Sequence, residues 1–239
     1  IASGVYTTDS ARQLAYLVND SDSRFLFVEN DEQLDKYLSI ADQMPGLSKV
    51  IVFDLDGLYD FEDDNVISLE NLYQMGAEAA EENPAEFEDE IAKGSPEDTG
   101  LLIYTSGTTG DPKGVEISNA NIMFAMSIGP HTLPVFDTDE QLCFLPLCHI
   151  LERLLSVFLP VFAGSIVNFA ESTETVFENI QEVSPTVFTA VPRVWEKMYS
   201  RISIMTEDAT PFGRWAFKQA VKAGHKRIKA VENNKPMPF

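Results

Sequence analysis

The chain has 239 residues, 44% of them hydrophobic, which is enough to bury the core of one large domain. Its 38 acidic and 17 basic residues give a formal net charge of −21, which argues against nucleic acid as a partner. The longest apolar stretch, residues 154–169, contains Pro160, Gly164 and Asn168 and is shorter than the roughly 20 residues that a membrane-spanning helix needs.

Short apolar runs alternate with helical patterns along the chain. A Gly4–Ser10 turn precedes a helix that carries Leu14, Leu17 and Val18 on one face. Buried strands are predicted at 24–29, 49–53, 101–104, 165–169 and 186–190, and helices at 10–19, 32–38, 70–81, 118–126 and 173–182. This alternation predicts an α/β fold with mostly parallel sheets and flanking helices.

Residues 50–57 read Val-Ile-Val-Phe-Asp-Leu-Asp-Gly and resemble the catalytic strand and loop of haloacid-dehalogenase phosphatases. That resemblance implies Asp54 as nucleophile and Asp56 as acid/base. Leu58 stands where that family usually has threonine, and no compatible acidic metal pair follows a second strand. We favour a strand that ends in an exposed acidic turn, with the phosphatase as an alternative.

A loop rich in hydroxyls and glycines follows the strand at 101–104. Residues 104–115 read Tyr-Thr-Ser-Gly-Thr-Thr-Gly-Asp-Pro-Lys-Gly-Val. Backbone N–H groups, hydroxyls and Lys113 are donors that suit phosphate oxygens. The residues that we assign to phosphate binding are Thr105, Ser106, Gly107, Thr108, Thr109, Gly110 and Lys113. The spacing fits neither a Walker A loop nor a dinucleotide-binding turn.

This loop resembles the signature of the AMP-forming adenylate ligases, the superfamily of acyl-CoA synthetases, luciferases and peptide-synthetase adenylation domains. A second segment, residues 141–153, reads Gln-Leu-Cys-Phe-Leu-Pro-Leu-Cys-His-Ile-Leu-Glu-Arg and is similar to a segment of long-chain fatty-acyl-CoA synthetases. In that family the histidine lies beside the acyl carboxylate, and the resemblance carries this role to His149. Without the loop, a structural histidine would be the simpler interpretation.

A third segment, residues 184–198, also resembles the long-chain synthetases. It is expected to form a strand, then a helix that begins at Pro192, with Trp195 filling the core. The family's later motifs, including the ribose-binding aspartate and the C-terminal catalytic lysine, have no counterpart after Trp195. We therefore expect residues 1–239 to be a fragment of the N-terminal AMP-binding domain, without the C-terminal catalytic-lysine domain.

The resemblance implies a two-step reaction. A fatty-acid carboxylate attacks the α-phosphate of ATP, pyrophosphate leaves, and the thiol of coenzyme A then displaces AMP. Lys113 and His149 are the expected catalytic residues, and Thr105 is expected to help hold Mg²⁺. The isolated fragment is expected to be inactive. Another adenylating ligase and a non-catalytic nucleotide-binding module remain alternatives.

Charge is unevenly distributed along the chain. Residues 54–90 are strongly acidic and residues 218–229 are basic. The basic stretch leaves a peripheral contact with an anionic membrane open, although a solvated helix face is the simpler interpretation. The expected location is cytoplasmic, including the membrane periphery, and the sequence gives no oligomeric state.

Overall fold

A computed structural model describes residues 1–105 and 110–233 of the chain. Helices and short strands alternate within these residues. The strands are β1 Ala2–Ser3, β2 Phe25–Val28, β3 Lys49–Val52, β4 Val66–Ser68, β5 Thr99–Thr105, β6 Lys113–Ser118, β7 Glu140–Cys143 and β8 Ile166–Phe169. The helices are α1 Ala11–Asp20, α2 Asp31–Leu38, α3 Leu69–Glu82, α4 Glu86–Ala92, α5 Asn119–Thr132, α6 Ile150–Arg153, α7 Leu159–Ala163, α8 Val176–Val183, α9 Pro192–Glu207 and α10 Pro211–Glu232.

The first core lies between α1, α2 and a parallel sheet of β2, β3 and β4. In the central strand, Val50, Ile51 and Val52 are at most 1% exposed, as expected for a strand that is covered on both faces. Helix α1 begins at a Ser10 capping box, and α2 begins at an Asn30 cap. Both helices bury apolar side chains against the sheet, Leu14 and Val18 from α1 and Leu34 and Tyr37 from α2.

The second sheet carries the hydroxyl-rich loop. Strand β5 pairs with β1 in parallel and with β6 in antiparallel, so that Thr105 lies directly opposite Lys113. Leu101 and Ile103 of β5 are buried against α5, which begins at a Ser118 capping box. The loop therefore joins two paired strands that one buried core holds in place.

A third pair of strands, β7 and β8, runs in parallel, and the segment that carries His149 follows β7 and precedes β8. A π-helical turn, Leu154–Phe158, joins α6 to α7, and Gly164 ends α7 in the left-handed conformation. The strand predicted at 186–190 is wrong. Only Val187 bridges β7, at Gln141, and its neighbours have no extended ladder.

The C-terminal helices α9 and α10 contact each other. Pro192 begins α9, as predicted, and a Thr210 cap precedes α10. Among the helices of the described residues, none is both long and apolar enough to cross a bilayer. The architecture as a whole is a mixed α/β fold with parallel sheets and flanking helices, which confirms the predicted fold class.

Candidate active site

One cavity brings the conspicuous sequence segments together. It has a volume of about 330 Å³, and its wall includes Thr105 and Pro112, the described residues near the two ends of the hydroxyl-rich loop. His149 belongs to the same wall. Residues far apart in the sequence thus border one space, at the carboxyl end of β5 and the start of α6. The complete wall is Gly4, Tyr6, Asp9, Gln13, Tyr16, Leu17, Ile103, Tyr104, Thr105, Pro112, Cys148, His149 and Ile150.

The ends of the loop have defined backbone geometry. Thr105 closes β5, and Lys113 opens β6 opposite it, with both residues exposed. Gly110 has a φ of +92°, a conformation that only glycine adopts without strain. The backbone therefore turns at Gly110, as the glycine predicts. The predicted phosphate-binding residues Ser106, Gly107, Thr108 and Thr109 lie outside the described residues.

Helix α1 braces both sides of this loop. The Tyr16 hydroxyl donates a hydrogen bond of 2.8 Å to the carbonyl of Pro112, and the Tyr104 hydroxyl donates one of 2.8 Å to the Asp20 carboxylate. Burial, together with the hydrogen bond to Asp20, raises the pKa of Tyr104. Both tyrosines therefore keep their protons at neutral pH and remain donors.

His149 occupies the N-cap position of α6. Its Nδ1 accepts a hydrogen bond of 3.3 Å from the Leu151 N–H, and the backbone N–H of His149 donates to the Pro146 carbonyl at 3.0 Å. Since Nδ1 is an acceptor, the neutral imidazole carries its proton on Nε2. That nitrogen is the donor that the ring can offer to an oxygen of a bound anion.

A buried carboxylate fixes the turn that leads to His149. Glu152 is 3% exposed and accepts hydrogen bonds from the Ser156 hydroxyl at 2.9 Å and the Phe144 N–H at 3.3 Å. Next to it, Arg153 Nε donates to the Leu147 carbonyl at 2.7 Å. The Glu-Arg pair that the sequence pattern contains thus ties both ends of residues 144–147 to α6.

The third segment packs against the second through aromatic rings. Phe188 stacks on Phe144 with ring centroids 5.5 Å apart, and Trp195 meets Phe188 edge-on, also at 5.5 Å. Trp195 is 48% exposed and donates to the Ala190 carbonyl at 3.1 Å. The prediction that Trp195 fills the core is therefore wrong, although the ring does join the two segments.

Asp54 and Asp56 lie apart from this cavity, in an exposed turn after β3. The Asp56 N–H donates to the Asp54 carboxylate at 2.9 Å, and Gly57 has a φ of +86°. In residues 1–105 and 110–233 no group of three or more acidic, histidine or cysteine side chains is arranged to hold a metal ion. The turn has the acidic, exposed form that the sequence predicts for it.

The sequence did not predict the hydrogen bonds of Tyr16 and Tyr104, nor the part of the cavity wall that the N-terminal segment and α1 form. Tyr16 and Pro112 are 96 residues apart, so no local spacing links them. Asp9 and Gln13 are visible in the sequence only as turn and helix residues. A single chain carries no signal of such contacts, because they arise when α1 packs beside β5.

The chain matches the family described as AMP-binding enzyme over residues 1–230, and it therefore belongs to that family. This confirms the resemblance that the loop indicates.

Among its relatives, the long-chain-fatty-acid–CoA ligase ACSBG2 of Xenopus laevis is 31% identical over 246 residues, covering 100% of this chain and 33% of that protein. The long-chain-fatty-acid–CoA ligase ACSBG1 of Rattus norvegicus is 32% identical over 209 residues, covering 84% and 28%. The chain spans about a third of the length of these curated relatives.

A solved structure has a similar fold. The anthranilate CoA ligase AuaEII, in complex with anthranoyl-AMP, is 22% identical, with a TM-score of 0.61 over 79% of this chain and 34% of that chain. At this identity the likeness concerns the fold.

Proposed function

We propose that this chain is part of the N-terminal AMP-binding domain of a long-chain fatty acid–CoA ligase. Such an enzyme activates a fatty acid with ATP to an acyl-adenylate and transfers the acyl group to coenzyme A. The long-chain-fatty-acid–CoA ligases among the relatives support the long-chain substrate class, and membership of the AMP-binding enzyme family supports the adenylation step. A cytoplasmic enzyme that also works at the membrane periphery fits this activity.

The observation that carries the proposal is the shared cavity. Adenylation requires a carboxylate to approach the α-phosphate, although both are anions. The cavity wall includes His149 and Thr105, at one end of the hydroxyl-rich loop, so that a donor for each anion borders one space, while Lys113 is not part of this wall. His149 Nε2 is the group for the acyl carboxylate, and the loop with Lys113 is the group for the phosphates.

Lys113 has a distinct role in this proposal. It stands opposite Thr105 in the β5–β6 pair and is exposed at the mouth of the loop. An ammonium at this point stabilises negative charge as it moves to the leaving pyrophosphate. Because the contact strengthens in the transition state, its loss should lower the rate more than it weakens ATP binding.

The oxygen donors of the cavity wall are compatible with Mg²⁺. This ion takes hard oxygen ligands, and in nucleotide enzymes the phosphates and waters supply most of them. Thr105 and Asp9, which carry a hydroxyl and a carboxylate, both belong to the cavity wall. Thr105 would hold the ion together with the phosphates, and the ion would supply Lewis-acid polarisation of the α-phosphate.

Fatty-acid-dependent ATP–pyrophosphate exchange tests the proposal on the full-length protein that carries this chain, with acids of graded length. We expect exchange that is strongest with long acids. Lys113→Ala should slow exchange about 100-fold to 1000-fold with little change in thermal stability. Lys93→Ala, at an exposed lysine paired with Glu90, is the matched control and should leave the rate unchanged.

Exchange that is silent with every acid would refute the ligase. Equal rates for Lys113→Ala and the unsubstituted protein would remove Lys113 from the mechanism. Exchange with short or aromatic acids alone would favour another adenylating ligase.

The purified chain of residues 1–239 should form little or no acyl-CoA, because the domain with the catalytic lysine would lie outside it. Measurement of thioester formation by the chain and by the full-length protein, side by side, checks this. ATP binding without exchange in both proteins would favour a non-catalytic nucleotide-binding module.

A further inference from the structure

Helix α10 carries a strip of lysines on its exposed surface. Lys218, Lys222, Lys226 and Lys229 are all exposed and follow one another at intervals of four, four and three residues. At about 100° per residue these intervals place the four ammonium groups within roughly 80° of the helix circumference. We refer to these four residues as the lysine strip.

The charge of α10 is opposite to that of the rest of the chain. The helix holds six basic residues and one acidic residue, whereas the remainder holds eleven basic and 37 acidic residues. The helix is therefore about +5 and the remainder about −26 at neutral pH. Such separation gives the protein one surface that attracts anions, while the rest repels them.

Large apolar side chains accompany the lysine strip. Trp215 lies in line with the strip one turn before Lys218, and it is 58% exposed. Phe212 packs beside Trp215, with ring centroids 5.8 Å apart, and is 74% exposed. Val221 and Ile228 lie along one border of the strip and are also exposed. Exposed tryptophan and aliphatic groups next to lysines are characteristic of helices that lie in a membrane interface.

We propose that α10 binds an anionic phospholipid surface, lying in the plane of the interface. The lysine strip would meet the headgroups, with each lysine contributing to the attraction, while Trp215 and Phe212 enter the boundary of the acyl chains. Nucleic acid or an acidic protein would satisfy the lysines but would leave the apolar side chains in water. The helix is 22 residues long but, like the other described helices, it is not both long and apolar enough to span a bilayer.

This proposal stands independently of the enzymatic one. It uses no residue of the cavity, and lipid binding can be measured on the chain itself. If the ligase proposal also holds, the helix would keep the enzyme at the surface from which a long-chain fatty acid is drawn.

Sedimentation with vesicles tests the electrostatic part on the purified chain. We expect binding to vesicles of phosphatidylcholine with phosphatidylserine and little binding to phosphatidylcholine alone, with attraction that weakens as salt is raised. Lys218→Glu with Lys222→Glu should reduce binding at least about tenfold. Arg12→Glu with Lys93→Glu changes the net charge equally outside α10 and should leave binding unchanged. Circular dichroism confirms that both variants fold.

Tryptophan fluorescence tests the apolar part. In a Trp195→Phe background only Trp215 emits, and its emission should shift to the blue on anionic vesicles. An unshifted emission would overturn the proposal, as would absence of binding or equal loss of binding in both double variants. Tighter binding to duplex DNA than to the vesicles would assign the strip to nucleic acid instead.

Discussion

At the scale of single residues, a buried cluster of Cys143, Glu152 and Ser156 supports the turn before His149. The Glu152 carboxylate is almost fully buried and is satisfied by neutral donors. Burial and a hydrogen bond to Glu152 raise the pKa of the Cys143 thiol from its ordinary 9.0 to about 11. Loss of the proton from this thiol therefore costs the folded chain stability.

This raised pKa predicts a loss of stability in alkali. Between pH 9.0 and about 11 the unfolded chain releases the thiol proton while the folded chain retains it. The contribution of the Cys143 thiol to the free energy of unfolding is full below pH 9.0 and is lost as pH rises toward 11. Urea unfolding at several pH values measures this loss. The free energy of unfolding should fall by about 1 kcal/mol less in Cys143→Ala than in the unsubstituted protein. A residual fall is expected, since burial also raises the pKa values of Cys148 and Tyr104. Identical falls in the two proteins would contradict the assignment.

At this scale the sequence predicted residues that carry their own chemistry and missed those that act through contacts. Lys113 and His149 belong to patterns that are recognisable over a few positions. Glu152 stands next to Arg153 in the sequence, yet it is buried and accepts hydrogen bonds from a hydroxyl and an N–H. Burial of a charged side chain depends on the packing of α6 against β7, which spacing alone does not encode.

At the scale of elements, the cavity depends on a close approach between the N-terminal segment and the start of α6. A Cβ atom added at Gly4 would lie 2.6 Å from Cys148 Cα and 2.7 Å from Cys148 Cβ. The backbone at Cys148, just before α6, would have to move to admit it, and a backbone yields less easily than a side chain. Gly4 is therefore required because of space, not because of an unusual φ.

Gly4→Ala should destabilise the protein by about 2 kcal/mol, since it forces apart two walls of the cavity. Gly76→Ala is the matched control. Gly76 lies inside α3 with open space around it, so alanine there should stabilise by about 0.5–1 kcal/mol through helix propensity. Chemical denaturation of both variants measures the two effects. Equal changes of the same sign would show that Gly4 has no special packing role.

Elements with strong local signals were predicted within a few residues. The failures occur where contacts outside the segment decide its structure. Helices α1, α2 and α3 begin at Ser or Asn caps that the sequence displays. Residues 186–190 have a suitable composition for a strand, but a strand also needs a neighbour along its length, and only Val187 finds one. Helix α5 continues past Gly129 and Pro130 to Thr132, where the pattern predicted an earlier end.

At the scale of the whole molecule, the excess of acidic residues is the dominant property. With 38 acidic and 17 basic residues, at least 21 carboxylates have no basic residue to match them. Helices α3 and α4 concentrate exposed carboxylates, namely Glu70, Glu78, Glu81, Glu82, Glu86, Glu88, Asp89 and Glu90. Repulsion among such groups raises the free energy of the compact state and depends on screening by salt.

Salt should therefore stabilise the fold while it weakens the attachment of α10 to lipid. We expect the thermal midpoint at neutral pH to rise by roughly 2–4 °C between low salt and about 1 M NaCl, equivalent to about 1 kcal/mol for a chain of this length. Thermal unfolding followed by circular dichroism measures the shift. At about pH 4.3, the pI of the sequence, the net charge is close to zero and the shift should shrink. A shift of equal size at both pH values would attribute the effect to general salt exclusion from the surface, because only screening of repulsion depends on the charge of the protein.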